Sequence, residues 1–284
     1  MKPRAAALAA ALLGSLALAA PATAQTMTET ADFGTVHAEF TYTPQEDAPP
    51  TGQHLVVTDG GAPVVDEAIP DDDFLRPGGF DGPSLTAHDF DGDGVPEVLL
   101  RMYTGGAHCC LQAWIYRAGV KTVHDFRDTG FTLVDLDGDG REEFQSADAR
   151  FAFAFTSFAS SRFPLQVFRW VGTRLVDVTG SAAVRPRVRE EAAGLRADYR
   201  RLRSRLARHP RSVGAREGVV ATLAAYAADQ CSLGHCARGY ALVRTARRRG
   251  DVREVFAGGR SPAKAGARFE RDLRRMLRRL GYQR

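Results

Sequence analysis

Two short acidic segments, 46 residues apart, share one pattern and constrain the fold more than any other feature of this sequence. In each segment, carboxylates stand at relative positions 1, 3, 5 and 9, an apolar residue at position 2, and glycines at positions 4 and 6. Glycine tolerates positive φ, so Gly94 and Gly140 permit a sharp turn that aims the carboxylates inward. The segments read Asp89-Phe90-Asp91-Gly92-Asp93-Gly94-Val95-Pro96-Glu97 and Asp135-Leu136-Asp137-Gly138-Asp139-Gly140-Arg141-Glu142-Glu143.

This pattern predicts two calcium sites. Hard cations such as Ca²⁺ take about six to eight oxygen ligands, which a tight loop of alternating Asp residues can supply. The backbone carbonyls of Val95 and Arg141 are natural additional ligands. The alternative is a pair of metal-free Asp/Gly turns. The predicted ligands are Asp89, Asp91, Asp93, Val95 and Glu97 in the first loop, and Asp135, Asp137, Asp139, Arg141 and Glu143 in the second.

The spacing of the last carboxylate excludes an EF-hand and resembles another class of calcium loop. An EF-hand requires a bidentate Glu at position 12, where these loops have Leu100 and Ser146. The pattern resembles the calcium loops of FG-GAP/VCBS repeats, found in integrin-type β-propellers and in secreted bacterial proteins. Residues 103–110, which contain Gly-Gly-Ala-His-Cys-Cys, look similar to a signature of exported proteins of this repeat class, as do residues 151–158 and 280–282. The resemblance implies one calcium ion in each loop.

Strand-like and helical patterns occupy different parts of the chain, which predicts an α+β fold. We expect a β domain of propeller-blade-like repeats over residues 25–182, followed by an Arg-rich helical domain over 183–284. A closed propeller typically has about four to eight blades of four strands, so a partial propeller or a compact sheet assembly is expected. Predicted strands include 36–42, a hairpin within 53–70 and the Phe/Ala alternation of 151–155; predicted helices lie near 190–208, 213–230, 235–248 and 266–281.

Residues 1–24 predict a secretory signal peptide. Lys2 and Arg4 precede an apolar run over 5–20, and Ala22-Thr23-Ala24 has the small-x-small form of a cleavage site. Cleavage before Gln25 would place a soluble protein in the periplasm or outside the cell, with no membrane span after cleavage. The alternative is an uncleaved anchor.

The four cysteines fit an oxidising compartment, where disulfides persist. Cys231 and Cys236 bracket a turn between two helical patterns and are the most natural pair. Cys109 and Cys110 are adjacent, so their Cα atoms lie about 3.8 Å apart, below the usual disulfide range. A strained vicinal bridge, two bridges to Cys231 and Cys236, and free buried thiols all stay open for them.

The net charge of +4 conceals two oppositely charged halves. Residues 1–180 carry 12 Lys+Arg against 25 Asp+Glu, whereas residues 181–284 carry 26 against 9. Such halves are electrostatically complementary, and either could recruit a partner of opposite charge. For an exported protein that partner is an anionic envelope polymer or another envelope protein, and nucleic acid does not fit the compartment. The alternative is a solvated Arg-rich surface.

These observations favour an exported, calcium-stabilised binding or scaffold module of the cell envelope without catalysis. A metal-dependent hydrolase is the first alternative, in which Asp125 and Asp128 do acid–base work or His108, Cys109 and Cys110 bind copper or zinc. The sequence contains no Gly-x-Ser-x-Gly and no His-Glu-x-x-His, which argues against an enzyme. The second alternative is binding of an anionic polymer through the Arg-rich helices.

Overall fold

Strands and helices are separated along the chain, as the predicted α+β fold requires. The computed structural model describes residues 25–71, 75–78, 82–105, 111–252 and 262–283. Within them, every strand lies between Met27 and Asp177 and every α-helix between Arg185 and Arg279. The strands form three antiparallel sheets, and the described residues contain no closed propeller.

The first sheet is a four-stranded meander. The β3–β4 hairpin turns at Gly60 and Gly61, both with positive φ, which confirms the predicted hairpin. Phe40 on β2 and Leu55 on β3 are fully buried, and burial alternates along both strands because successive side chains point to opposite faces. The strands are β1 (Met27–Phe33), β2 (Val36–Thr43), β3 (Thr51–Asp59) and β4 (Ala62–Ala68), in that order.

The second and third sheets each contain one acidic loop, at the same place in a strand–loop–strand unit. The first loop connects β6 to β7 and the second connects β10 to β11, and each pair of strands is antiparallel and adjacent. The acidic pattern therefore occurs in two strand–loop–strand units of the same form. The second sheet has β5 (Arg76–Pro77), β6 (Leu85–His88), β7 (Glu97–Tyr103), β8 (Leu111–Arg117) and β9 (Val120–Asp125); the third has β10 (Thr132–Val134), β11 (Glu143–Ala147), β12 (Leu165–Val171) and β13 (Arg174–Asp177).

Strand β7 lies between two apolar clusters and is buried on both faces. Leu100 and Met102 point into a cluster shared with the first sheet, which also contains Phe40. Leu99 points the other way, into a cluster that holds Phe144 of the third sheet. Each fully buried side chain of this size contributes about 1.5–3 kcal/mol, so these two clusters fix the three sheets against each other.

Four α-helices follow the sheets and confirm the predicted helical part. Ser212 begins α2 by accepting the N–H of Ala215 at 3.3 Å, as an N-cap does. The predicted disulfide between Cys231 and Cys236 joins the end of α2 to the start of α3. No helix among the described residues is long and apolar enough to span a bilayer. The helices are α1 (Arg185–Arg208), α2 (Val213–Ser232), α3 (Cys236–Arg248) and α4 (Pro262–Arg279).

The helices pack directly on the third sheet. Leu165 and Val167 of β12 share an apolar cluster with Val188 of α1. The Leu165 N–H donates to the carboxylate of Asp229 on α2 at 3.1 Å. Asp229 is fully buried, and this burial, together with the nearby charge of Glu191, raises its pKa well above the ordinary value.

The predicted strand over residues 151–155 is wrong. Asp148 accepts the N–H of Arg150 and begins a short 3-10 turn at Ala149–Phe151. Phe153 has φ of 55°, which a β-strand does not allow. Phe151 and Phe155 pack against the helices instead of a second sheet, and Phe155 meets Phe269 of α4 at 5.1 Å between ring centroids, whereas Phe153 is exposed.

Candidate metal centres

The first carboxylate of each acidic loop organises the turn around it. Asp89 accepts hydrogen bonds from the backbone N–H groups of Gly92, Asp93 and Gly94 at 2.8, 3.1 and 2.8 Å. Gly92 and Gly94 have φ of 71° and 89°, in the left-handed region that favours glycine. The Asp-x-x-Gly-x-Gly spacing thus encodes a turn that closes on its own first side chain.

The second loop repeats this turn. Asp135 accepts the N–H groups of Gly138, Asp139 and Gly140 at 2.7, 3.2 and 3.0 Å. Gly138 and Gly140 have φ of 76° and 83°. The two segments therefore have the same hydrogen bonds and the same sign of φ at both glycines.

The ninth residue of each loop is a buried glutamate that begins the following strand. Glu97 and Glu143 are both 0% exposed. One oxygen of each accepts the N–H at loop position 2, from Phe90 at 2.9 Å and from Leu136 at 3.0 Å. Burial raises the pKa of Glu97, while the Phe90 N–H and the Arg117 side chain oppose that rise.

Three carboxylates of each loop converge on one point. Asp89, Asp91 and Glu97 each place an oxygen within 4.8 Å of the others' oxygens, and Asp135, Asp137 and Glu143 do the same. Donor sets made of oxygen alone suit hard cations such as Ca²⁺ and Mg²⁺, whereas copper and zinc prefer nitrogen and sulfur. These residues thus fit a hard divalent cation.

The fifth-position carboxylates lie outside these triads. Asp93 accepts the Val95 N–H at 3.0 Å and contacts Arg117 at 2.5 Å, and these contacts lower its pKa. Asp139 accepts the Arg141 N–H at 3.0 Å, and Arg141 lowers the pKa of Asp139 to about 2. That Asp93 and Asp139 bind metal, together with the Val95 and Arg141 carbonyls, stays a prediction.

Sequence reasoning missed one arginine beside each loop, on a neighbouring strand. Arg117 ends β8 and pairs across the strands with Glu97; its side chain contacts Glu97 and lies 3.4 Å from Asp91. The pairing of Phe144 with Phe168 brings the next residue, Arg169, beside Glu143, and Arg169 Nε donates to Glu143 at 2.8 Å. Arg117 follows the first Asp of its loop by 28 residues and Arg169 follows the first Asp of its own loop by 34. Because these separations differ, no fixed sequence spacing identifies the two arginines, and only the strand register could have done so.

The two loops touch each other. The Arg141 side chain lies over Gly92, where an added Cβ would come within 2.9 Å of Arg141 Cδ. Arg141 also donates to the backbone carbonyl of Asp91 at 3.4 Å. The N–H of Gly172, in the β12–β13 turn, donates to the Asp91 carboxylate at 2.7 Å. The first loop is therefore joined to the third sheet as well as to its own.

The alternative catalytic residues are not gathered into a comparable site. Asp125 accepts the Arg127 N–H at 2.8 Å, a contact that closes a turn. Asp128 lies in the short 3-10 helix Arg127–Thr129 that follows this turn. His108, Cys109 and Cys110 lie outside the described residues, and so do the residues predicted as a signal peptide.

Comparison with known proteins finds partial relatives. A probable thylakoid lumen protein of Synechocystis sp. (strain ATCC 27184 / PCC 6803 / Kazusa) is 30% identical over 164 residues, which make up 55% of this chain and 45% of that protein. An uncharacterized protein of Sinorhizobium fredii (strain NBRC 101917 / NGR234) is 31% identical over 104 residues, 35% of this chain and 16% of that protein. The chain thus spans less than half the length of these curated relatives. No family model and no solved structure matches the sequence.

Proposed function

We propose that this chain is an exported protein whose sheets are stabilised by two calcium ions, and that it serves as a binding or scaffold module without catalysis. The observation that carries this proposal is the oxygen triad built twice on the same backbone turn. The resemblance of both loops to those of FG-GAP/VCBS repeats supports calcium as the metal. The triads belong to strand connections in two sheets, which favours a structural role for the ions.

The contribution of such an ion follows from the positions of its ligands. Asp89 and Asp91 belong to the turn after β6, while Glu97 begins β7. A divalent cation shared by these three residues offsets the repulsion among their carboxylates and fixes the turn to the strand. A ligand present at 100 times its Kd stabilises the folded state by about 2.7 kcal/mol.

The proposed compartment rests on three independent observations. The N-terminal sequence has the pattern of a secretory signal. Cys231 and Cys236 form a disulfide, which persists in oxidising compartments. One relative is a probable thylakoid lumen protein. Together these support export to the periplasm or beyond.

Calcium binding is tested by thermal unfolding and elemental analysis of the purified full chain. We expect each occupied site to raise the melting temperature by about 5–10 °C, as follows from about 2.7 kcal/mol per site in a chain of this size. A chelator should reverse the rise, and Asp91→Ala with Asp137→Ala should abolish it. The control is Glu46→Ala with Asp47→Ala, which removes two exposed carboxylates far from both loops in sequence. A double loop variant that keeps the full calcium response would disprove the two sites.

A groove on the helical part favours a second function, binding of an anionic polymer. Arg189, Arg196 and Arg200 lie on one side of α1, seven and four residues apart, so their Cα atoms are separated by about 10 and 6 Å along the axis. Together with His235 and Arg238 they line a groove of about 340 Å³, whose other lining residues include the buried side chains of Tyr226 and Leu233.

These guanidinium groups lack the charge compensation found elsewhere on the helices. Among the described residues, no carboxylate lies within 4.0 Å of Arg189, Arg196, Arg200 or Arg238. By contrast, Glu270 on α4 has three arginine partners, with Arg274 at 3.0 Å. Arginine binds phosphate and carboxylate groups in bidentate fashion, so a chain of such groups is the ligand chemistry that suits the groove.

Linear polyphosphate is the probe for this groove. We expect Arg196→Gln with Arg200→Gln to weaken its binding to the full chain at least tenfold, and binding to weaken with rising salt. Arg244→Gln with Arg247→Gln is the matched control, because both arginines already have Glu270 as a partner. If the two double variants lose the same amount of polyphosphate affinity, the binding is general charge attraction. The groove would then not be a polymer-binding site.

A further inference from the structure

We propose that Arg117 and Arg169 are internal counter-cations of the two acidic loops, which hold each loop closed without metal and are displaced when a divalent cation binds. This inference rests on the proposed calcium sites. It concerns two arginines that the sequence pattern of the loops does not contain.

Arg117 contacts three of the four carboxylates in the first loop. One terminal nitrogen contacts Glu97 and lies 3.4 Å from Asp91, and the other lies 2.5 Å from Asp93. The Arg117 side chain is only 15% exposed. Asp91 and Glu97 are also two of the three residues in the triad, so the guanidinium contacts two of the carboxylates that a metal ion would need.

Arg169 has the same relation to the second loop. It contacts Glu143 through two nitrogens, lies 3.1 Å from Asp137 and 3.7 Å from Asp139, and is 20% exposed. Asp137 and Glu143 belong to the second triad. In each loop, the residues at positions 3, 5 and 9 of the pattern therefore lie beside one guanidinium, that of Arg117 in the first loop and that of Arg169 in the second.

The recurrence shows that the arginines belong to the structural repeat. Each stands on the strand that pairs with the strand opened by the buried glutamate: β8 beside β7 and β12 beside β11. Because the two arginines lie at different distances from their loops in sequence, strand pairing, and not a local turn, brings each of them to its loop. Two occurrences at one structural position indicate a common role.

Charge explains both parts of that role. An ionised carboxylate removed from water is costly unless it is paired, and Glu97 and Glu143 are fully buried. A guanidinium supplies the missing partner while the loop holds no metal. One guanidinium offsets only one of the four carboxylates of the pattern, and the second loop, where Arg141 also contacts Asp139, still has two more carboxylates than arginines. Each loop therefore keeps negative charge that attracts a divalent cation. The arginine then weakens metal binding, because the two cations compete for the same carboxylates.

The test measures calcium affinity, and the melting temperature in the presence of a chelator, for four versions of the full chain. These are the wild type, Arg117→Gln with Arg169→Gln, the same pair changed to Lys, and Arg174→Gln, an exposed arginine of the third sheet. In chelator, we expect the Gln pair to melt below the wild type. In calcium titrations, it should bind at least tenfold more tightly and show a larger rise in melting temperature. The calcium affinity and the chelator melting temperature of the Lys pair should lie between those of the wild type and the Gln pair. Arg174→Gln should match the wild type in both.

High salt separates direct competition from a general charge effect. About 1 M salt screens separated surface charges, so the tighter binding of the Gln pair should persist there if the guanidinium occupies the site. A gain that disappears in high salt would overturn displacement. If the Gln pair fails to fold, Arg169→Gln alone is measured, since the second loop is the more exposed.

The remaining outcomes distinguish the two proposals. Absence of calcium binding in the wild type and in the Gln pair would overturn the proposed function and displacement together, while chelator melts would still decide whether the arginines hold the loops. Calcium binding that is unchanged or weaker in the Gln pair would overturn the competition alone. A Gln pair as stable in chelator as the wild type would show that neither arginine is a counter-cation.

Discussion

The two acidic loops share a sequence pattern and a turn, yet they fasten different parts of the molecule. In the first loop, Phe90 at position 2 is fully buried and lies 5.4 Å from Phe144, ring to ring. In the second, Leu136 is half-buried against the cluster formed by β12 and α1. The first loop thus joins two sheets, and the second joins a sheet to a helix. The acidic positions determine the turn, while the apolar position determines what the turn is attached to.

The position-3 carboxylate is also less exposed in the first loop than in the second. The side chain of Asp91 is 13% exposed and accepts the N–H of Gly172 from another sheet. Asp137 is 22% exposed and its partner Arg169 belongs to its own sheet. The first site is therefore enclosed by two structural units, whereas the second is built within one.

The largest difference between the loops should appear when position 2 is truncated. Phe90→Ala should lower the free energy of unfolding by about 3–5 kcal/mol, because it opens a cavity between two sheets. Leu136→Ala should cost about 1–2 kcal/mol, since that side chain is already partly exposed. Urea unfolding of both variants measures the two values. Equal costs would mean that the first loop is not the more deeply anchored.

A smaller difference is expected at the glycine of position 4. Gly92→Ala and Gly138→Ala both force an L-residue to positive φ, at a cost of about 1–2 kcal/mol. An added Cβ at Gly92 also meets Arg141 at 2.9 Å, whereas at Gly138 nothing lies within 4 Å. Thermal melts should place Gly92→Ala below Gly138→Ala, by a modest margin because the Arg141 side chain can move. The reverse order would show that Arg141 does not connect the loops.

The smallest expected effect is a difference in acid sensitivity. Arg141 lowers the pKa of Asp139 to about 2, from 3.8 in its ordinary state. The unfolded chain therefore takes up the proton first, and the stabilisation present above about pH 4 is lost as the pH falls toward 2. Asp139→Asn should make the melting temperature less dependent on pH in that range.

In the first loop, two carboxyl groups have pKa shifts of opposite sign, so their effects on acid stability oppose each other. Arg117 lowers the pKa of Asp93, but burial raises the pKa of Glu97. A raised carboxyl pKa has the opposite sign: its effect on stability becomes unfavourable as the pH rises through that pKa. Asp93→Asn should therefore flatten the acid limb, while Glu97→Gln should not. An Asp139→Asn melt with the wild-type pH dependence would contradict the lowered pKa assigned to Asp139, and an Asp93→Asn melt with that dependence would contradict the one assigned to Asp93.

Local patterns predicted much of the fold. The helices, the hairpin at Gly60 and Gly61, and the disulfide between Cys231 and Cys236 all follow from spacing of a few residues, and the structure has them. The acidic loops are local as well, because Asp89 and Asp135 bind the N–H groups of their own turns. Short-range chemistry of this kind is visible in a single sequence.

What the sequence did not reveal depends on contacts between distant segments. Arg117 and Arg169 reach the loops only through strand pairing. The alternation at residues 151–155 indicated a strand, but packing against α4 and the chain end decided otherwise: Phe151 lies 6.0 Å from Tyr282, ring to ring. The alternation of Phe and Ala in the sequence is the same whether such rings pack on a sheet or, as Phe151 does, beside helices.

The hydrogen bond from Leu165 to Asp229 has a consequence for any attempt to divide this chain. The change from strands to helices near residue 182 is a boundary in sequence, yet a cut there would leave the first residue of β12 without its acceptor and open the Val188 cluster to water. We therefore expect the two parts to melt as one cooperative unit, and a protease that nicks the intervening segment to release no independent fragment.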